Sequence, residues 1–220
     1  EWEGVSGAQI DSGFTQDTGN VTVTYARTVD SGSHESDAGT VLLNTDGIVS
    51  NGDPVDDNSS LQSITNGYGN TGEFSWDFST AVTNVSFNVN DIDTDGVVKI
   101  TAFDVDGNPI TVNLTGGSGL TLRDTDLVAG ADTADSNGGD GAVNSGTYNL
   151  NVDIPGPVSR IVLTHTQDGY TNSGINVTEM YYDALTGEVG AGDEGGDDVI
   201  MGDAGNDTIF GEGGNDSIEG

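Results

Sequence analysis

The chain has 220 residues, with 37 aspartate and glutamate residues against four lysine and arginine residues, and its formal net charge is -33. Repulsion of this size opposes compaction unless salt or bound cations screen it, so we expect the chain to fold in a saline or calcium-rich medium. The same charge excludes nucleic acid as a partner. Cysteine is absent, so neither disulfide bonds nor thiolate metal sites hold the fold.

The hydropathy of the chain also limits its partners. No run of 18 apolar residues is present, so the sequence predicts no membrane span. Neutral ligands fit the acidic surface better than polyanionic sugars, which would need a cation to bridge the two negative surfaces.

Short runs in which every second residue is apolar recur from Val21 to Asp183, and this period is typical of half-buried β-strands. Turn signals separate these runs, and no segment of ten or more residues carries a helical stripe. Asp106-Gly107 predicts a tight hairpin between residues 100–104 and 110–114. About ten strands of this kind predict an all-β protein with two packed antiparallel sheets, and Trp76 is expected in their core.

Two polar segments, Asp30 to Thr40 and Ala129 to Gly146, are long for simple connections. We expect them to be mobile or ordered by ions, and the second contains Asp132, Asp135 and Asp140. After Asp183 the sequence becomes glycine-rich. We therefore predict a β-sandwich over residues 1–186 and a separate domain over residues 187–220.

The tail repeats with a period of nine residues over 193–201, 202–210 and 211–219. Glycine holds the fourth place, aspartate the sixth and isoleucine the eighth. This pattern resembles the RTX (hemolysin-type) calcium-binding repeat, and the resemblance implies a short parallel β-roll. One isoleucine per repeat contributes at most about 2 kcal/mol of apolar burial, less than the ordering entropy of nine residues. Calcium must therefore stabilise the tail, which we expect to be disordered without it.

The RTX resemblance implies Ca²⁺ as the cofactor and assigns its ligands, because in that family an ion lies between turns two repeats apart. One complete site would join two sets of ligands: Asp198 with the carbonyls of Glu194 and Gly196, and Asp216 with the carbonyls of Gly211 and Gly213. Asp207 would form a second site that is weaker or is completed by carbonyls and water, since Val189 stands eighteen residues before it. The resemblance also implies an extracellular protein, secreted by the type I route.

The segment from Asp91 to Gly96 alternates acidic residues as an EF-hand loop does, but Ala102 stands where the bidentate glutamate should be. It is therefore not an EF-hand. Asp91 and Asp93 are candidate calcium ligands at a sandwich edge, and a solvated turn is the alternative. Glu3 and Asp183 are candidates by analogy with jelly-roll sugar-binding modules, if the first and last strands pair.

Two tyrosines lie in turns whose amide and carboxylate neighbours suit sugar hydroxyls. Tyr68 and Tyr170 are candidate sugar-binding residues because exposed aromatic rings stack on the apolar faces of sugars; surface aromatics without a function are the alternative. Catalysis finds little support, because the chain has two histidines and no cysteine. His34 and His165 are expected at the surface and at a strand edge.

The predicted sandwich resembles, in its strand pattern, the jelly-roll modules found beside RTX repeats in secreted bacterial proteins, many of which bind carbohydrate. This resemblance implies a non-catalytic module that binds a polysaccharide, either neutral or anionic through bridging calcium. Two alternatives remain open: a structural or adhesive module of a large RTX protein, and a polysaccharide lyase or glycosidase fragment.

Overall fold

The computed structural model describes residues 1–185 and the backbone of residues 199–201 and 217–219. The chain divides into two compact units, Glu1–Leu185 and Thr186–Gly220. In chain order the first unit contains α1 (Gly7–Ser12), β1 (Phe14–Asp17), β2 (Thr22–Ser31), β3 (His34–Gly39), β4 (Ser60–Thr65), β5 (Thr71–Asn90), β6 (Gly96–Phe103), β7 (Pro109–Ile110), β8 (Asn113–Gly116), β9 (Leu120–Arg123), β10 (Thr133–Ser136), a 3₁₀ turn (Gly146–Tyr148), β11 (Leu150–Ile154), β12 (Val158–Gln167), β13 (Ser173–Val177) and β14 (Tyr181–Ala184).

The strand β5 organises this unit because it is 20 residues long and is paired along both edges. Its first half lies between β2 and β12, with Tyr25 and Ile161 on either side of Trp76. Its second half lies between β11 on one edge and β13 and β14 on the other. Strands distant in sequence lie side by side, in the order β3-β4-β13-β5-β12-β6-β10-β9, and the pairs in this unit are antiparallel. The predicted jelly-roll-like antiparallel β-sandwich is confirmed.

One apolar core fills the unit, and it uses the alternating side chains of the sequence pattern. Phe74, Phe87, Leu150 and Ile161 are fully buried, and Trp76 is buried as predicted. Each such side chain stabilises the fold by roughly 1.5–3 kcal/mol relative to an exposed position.

The prediction of a loop from Asp30 to Thr40 is wrong. Strand β2 continues to Ser31 and β3 begins at His34, so the segment forms a hairpin whose second strand pairs with β4. Strand β3 ends the sheet order, and an edge strand tolerates the polar residues that hid it in the sequence.

Other turn predictions have mixed outcomes. The Asp106-Gly107 hairpin is confirmed, with Ala102 opposite Ile110. The segment from Ala129 to Gly146 is not one continuous loop, because β10 crosses it and pairs with β6 and β9.

The described part of the second unit is a parallel strand pair, β15 (Val199–Met201) and β16 (Ser217–Glu219), with Ile200 opposite Ile218. The paired residues lie two nine-residue repeats apart, which is the register that a β-roll predicts. The predicted ligands Asp198, Asp207, Asp216, Glu194, Gly196, Gly211 and Gly213 lie outside the described residues. Within the described residues no helix has the length and apolar character needed to cross a membrane.

Candidate ligand and calcium sites

Two turns meet at one end of the sandwich. The Tyr68 turn (residues 66–70) joins β4 to β5, and the Tyr170 turn (residues 168–172) joins β12 to β13. Strand pairing places Ser173 opposite Thr65, and His165 opposite Gly72, so both turns lie at the same end of the sheet.

The two predicted sugar-binding residues form a pair. The ring centroids of Tyr68 and Tyr170 are 5.9 Å apart and the ring planes are inclined by 38°. The side chains remain 65% and 87% exposed, so the contact leaves most of both rings open to solvent. The sequence identified each tyrosine separately but gave no signal that they would meet.

Amide side chains brace both turns. In the Tyr68 turn, Asn70 Nδ2 donates to the carbonyl of Asn66 at 2.7 Å. In the Tyr170 turn, Gln167 Nε2 donates to the carbonyls of Gly169 and Thr171 at 3.1 and 2.6 Å. The rings are therefore carried by closed turns, which lowers the entropy lost when a ligand binds.

The charge distribution limits the ligand. The four basic side chains of the chain each pair with a carboxylate: Arg27 with Asp11, Lys99 with Asp132, Arg123 with Asp135 and Arg160 with Asp77. None of these cations lies free to bind an anionic group beside the tyrosines.

A buried polar network lies beneath the two turns. His34 Nδ1 is 3.0 Å from Asp30 Oδ1, and its Nε2 is 2.9 Å from Ser63 Oγ. The same Ser63 Oγ is 2.8 Å from His165 Nδ1, and His165 Nε2 is 3.2 Å from Ser173 Oγ. The expectation that both histidines lie at the surface or an edge is wrong, because hydrogen-bond partners inside the sandwich satisfy their ring nitrogens.

The order aspartate, histidine, serine in this network is that of a nucleophilic triad. Ser63, however, is fully buried, and its hydroxyl is held between two histidines. A substrate cannot reach Ser63 Oγ in this arrangement. Burial, followed by the neighbouring His34, lowers the pKa of His165 to about 3, so this imidazole is neutral at physiological pH.

Three carboxylates lie near one another around the acidic turn (residues 91–96). Asp91 and Asp93, the predicted calcium ligands, lie near Asp140, whose charge adds to burial in raising the pKa of Asp93. Asp93 Oδ2 also accepts a hydrogen bond from the Gly141 amide at 3.0 Å. Burial, then Asp93 and Asp140, raise the pKa of Asp91 to about 7. We call these three residues the Asp91 cluster; a calcium ion would relieve its repulsion with oxygen ligands of the preferred type.

A second group of acidic residues is paired with a lysine side chain. Asp124, Asp126 and Asp132 approach one another within 4.8 Å, and the sequence analysis did not single out the first two. Lys99 Nζ lies 3.2 Å from Asp132 Oδ2, and Thr125 Oγ1 donates to both oxygens of that carboxylate. Burial alone would raise the pKa of Asp132. Hydrogen bonds from Thr133, Thr125 and Lys99 outweigh burial, so this pKa is lowered.

The other predicted pair, Glu3 and Asp183, is not joined by strand pairing. β1 pairs with β2, and β14 pairs with β5, so the first and last strands of the sandwich are not partners. Glu3 is exposed before α1, and Asp183 Oδ2 accepts a hydrogen bond from Asn84 Nδ2 at 2.7 Å. The premise that first and last strands pair is therefore wrong.

A cavity of about 620 Å³ lies beside Asp183. Trp2, Trp76 and Phe78 line it, but each is at least nine-tenths buried, and the two tryptophans pack edge to face. These rings are part of the core and present little face for stacking on a sugar. The exposed tyrosine pair is the better aromatic surface.

Comparison with known families concerns the tail. Residues 194–220 match the family model described as "RTX calcium-binding nonapeptide repeat (4 copies)". Residues 194–220 are RTX calcium-binding repeats. The RTX match agrees with the parallel pairing of β15 with β16 two repeats apart.

Two solved structures match the chain at low identity. The enzymatically active domain of tailspike protein 4 of bacteriophage CBA120 has a TM-score of 0.38 and 14% identity, over 76% of this chain and 20% of that domain. The family 11 carbohydrate-binding module of the cellulosomal cellulase Lic26A-Cel5E of Clostridium thermocellum has a TM-score of 0.31 and 8% identity, over 79% of this chain and 95% of that module. The chain thus spans a fifth of the tailspike domain. The search of curated proteins finds no match.

Proposed function

We propose that the chain is a secreted, calcium-dependent and non-catalytic carbohydrate-binding module. The β-sandwich binds a neutral glycan through the Tyr68–Tyr170 pair, and calcium orders the RTX repeats. The observation that carries this proposal is the pair itself: two largely exposed tyrosine rings, from turns far apart in the sequence, lie 5.9 Å apart.

The chemistry of the pair supports a sugar ligand. Aromatic rings offer apolar faces to the C–H groups of a pyranose ring, while amide and carboxylate oxygens can accept hydrogen bonds from its hydroxyls and amide N–H groups can donate to them. Because the four basic side chains are in ion pairs, an anionic polysaccharide would need calcium as a bridge. A neutral polysaccharide needs no such bridge.

A glycan array tests the proposal, with the intact chain applied in calcium and in chelator. We expect calcium-dependent binding that falls roughly two- to tenfold in Tyr68→Ala and in Tyr170→Ala, since stacking of one ring contributes about 0.5–1.5 kcal/mol. Leu127→Ala is the matched control, because Leu127 is a fully exposed apolar residue outside both turns.

The array also separates the alternatives. Binding by wild type that is unchanged in both tyrosine variants would refute the role of the pair. No binding to any glycan would favour a structural or adhesive module. Release of reducing sugar from a bound polysaccharide would favour a lyase or glycosidase fragment.

A further inference from the structure

The place of Tyr170 depends on a residue outside its own turn. We infer that Asp95 is a positioning residue, whose carboxylate fixes the Tyr170 turn against the acidic turn and thereby sets Tyr170 beside Tyr68. This inference rests on the proposed function and deepens it, because it names the residue that preorganises the aromatic pair.

Asp95 holds the chain on both sides of Tyr170. Its Oδ2 accepts a hydrogen bond from the Thr171 amide at 2.9 Å and a second one from Thr171 Oγ1. Its backbone carbonyl accepts a hydrogen bond from the Asp168 amide at 3.0 Å. A single residue therefore fastens the positions before and after the ring-bearing residue.

Gly169 shows how closely the two turns approach. A Cβ atom at this position would overlap the Asp95 carboxylate, so the turn closes directly onto the carboxylate and has no space for a side chain. The acidic turn and the Tyr170 turn are thus closely packed, and loss of this contact would let the Tyr170 turn shift.

The acidic turn that carries Asp95 is itself held in one conformation. Thr94 has a φ of 52°, a region that β-branched residues rarely adopt. Its amide donates to the Gly139 carbonyl at 2.7 Å, and its hydroxyl donates to the Asn172 carbonyl at 2.9 Å. These two bonds keep the turn in place and add another link to the Tyr170 turn.

The charge of Asp95 strengthens these contacts. Hydrogen bonds from the Thr171 hydroxyl and then from the Thr171 amide lower the pKa of Asp95, so the carboxylate stays ionised at neutral pH. Hydrogen bonds to an ionised acceptor are roughly twice as strong as those between neutral groups. Asp91, four residues earlier, has the opposite shift and faces other carboxylates.

Asp104 provides a matched control. Its Oδ1 accepts hydrogen bonds from the amides of Asp106 and Asn108 at 3.0 and 2.8 Å, and hydrogen bonds lower its pKa as well. Asp104 thus braces a turn in the same way as Asp95. It follows the end of β6, whereas Asp95 precedes the start of that strand, so it is remote from the tyrosines.

The test measures the ring pair directly, without any glycan. Photo-oxidation of the intact chain in calcium couples neighbouring tyrosines, and peptide mass mapping quantifies the Tyr68–Tyr170 dityrosine. We expect this product in wild type, a yield about fivefold lower in Asp95→Ala, and an unchanged yield in Asp104→Ala. Asp95→Asn, which keeps an acceptor for Thr171, should retain most of the yield.

A second variant covers the case in which Asp95→Ala fails to fold. Gly169→Ala should lower the yield by displacing the carboxylate, and adding Asp95→Ala to it should cause no further loss, because both changes break one contact. Wild-type yield in Asp95→Ala or in Gly169→Ala, or no Tyr68–Tyr170 product in wild type, would overturn the inference.

A glycan titration separates this inference from the proposed function. If a glycan binds, Asp95→Ala should weaken its affinity about fivefold while Asp104→Ala leaves it unchanged. A reduced cross-link in Asp95→Ala together with no glycan binding by wild type would support the positioning role and contradict the proposed function. Unchanged cross-linking together with unchanged glycan affinity would overturn the positioning role and leave the proposed function intact.

Discussion

At the scale of single residues, the aspartates of the acidic turn have different surroundings. Asp91 is partly buried and faces two other carboxylates, so its pKa rises to about 7. Asp95 receives hydrogen bonds from Thr171, so its pKa falls. Residues of one type, four positions apart, therefore take different charges near neutral pH because their neighbours differ.

The Asp91 cluster gives a prediction at this scale. Asp140→Asn removes one of the carboxylates that oppose ionisation of Asp91 and Asp93. Because Asp140 is exposed and solvent screens its charge, we expect the free energy of unfolding in EDTA to rise by only about 0.2–1 kcal/mol, with a Tm increase of at most roughly 2–4 °C. Calcium bound at the cluster should stabilise the variant less than wild type, because one carboxylate is missing. Thermal unfolding in both media measures the two effects.

Asp106→Asn is the control for this experiment, since Asp106 is an exposed turn aspartate that follows the opposite end of β6. Equal calcium-dependent gains in Asp140→Asn and wild type would show that the cluster is not a calcium site. A Tm in EDTA that does not rise would show that the carboxylates do not repel each other enough to matter.

Single site residues could be recognised from the sequence, but which of them lie next to one another in the fold could not. Tyr68 and Tyr170 could be recognised from the turn residues around them. Their approach could not, because it depends on β4 pairing with β13, and on β5 pairing with β12. For the same reason Asp140 could be named only as part of a polar segment, and not as the neighbour of Asp93.

At the scale of elements, the buried histidine network links four strands. His34 lies on β3, Ser63 on β4, His165 on β12 and Ser173 on β13. Three of these strands, β4, β12 and β13, border the tyrosine-bearing turns. The sequence misplaced both histidines because polar residues usually face solvent, and only tertiary pairing supplies partners in the interior.

This network predicts how stability depends on pH. The pKa of His165 is about 3 in the folded state and near 6.5 in the unfolded chain, so between these values only the unfolded chain binds the proton. Stability is therefore greatest above about pH 6.5 and falls as the pH drops, by up to about 1.4 kcal/mol per pH unit from this residue. Urea unfolding at several pH values measures the slope.

His165→Gln separates this residue from the carboxylates that titrate in the same range. The variant is expected to be less stable at neutral pH, because Ser63 loses a partner, but its stability should depend less on pH. Between pH 7 and pH 5, wild type should lose about 2 kcal/mol more than the variant. Parallel pH profiles would contradict the neutral, buried state of His165.

The repeats give a prediction from strand register. β15 pairs with β16, and Asp198 and Asp216 are the residues that precede these two strands in the sequence. Asp198→Ala and Asp216→Ala should each weaken binding of the same calcium ion, whereas Asp207→Ala should leave that ion bound. Calorimetric titration of the intact chain with calcium counts the ions. Equal losses in all three variants would contradict the assigned pairing.

The strand pattern shows which elements a sequence can reveal. β5 and β11 bury alternating apolar side chains, so their period was visible. β3 has no large apolar side chain and is held by hydrogen bonds to β4, so its sequence looked like a loop. Alternating apolar residues occur where a strand packs against the core. An edge strand that lacks this packing does not show the pattern in its sequence.

At the scale of the whole molecule, the net charge of -33 gives both predicted calcium sites a common effect on folding. Ions bound by the repeats and by the Asp91 cluster would lower the repulsion that opposes compaction. General screening by salt acts in the same direction but is not specific, so a test of calcium must be made where screening is already strong.

The most direct test is therefore hydrogen exchange of the intact chain in about 0.5 M NaCl, a salt concentration at which the Debye length is only a few ångströms, with calcium or with EDTA. The account predicts that amides of residues 186–220 exchange slowly in calcium and at nearly unfolded rates in EDTA, while the β5 amides remain protected in both. Equally slow exchange of residues 186–220 in EDTA would contradict the claim that calcium supplies the stability that these repeats lack.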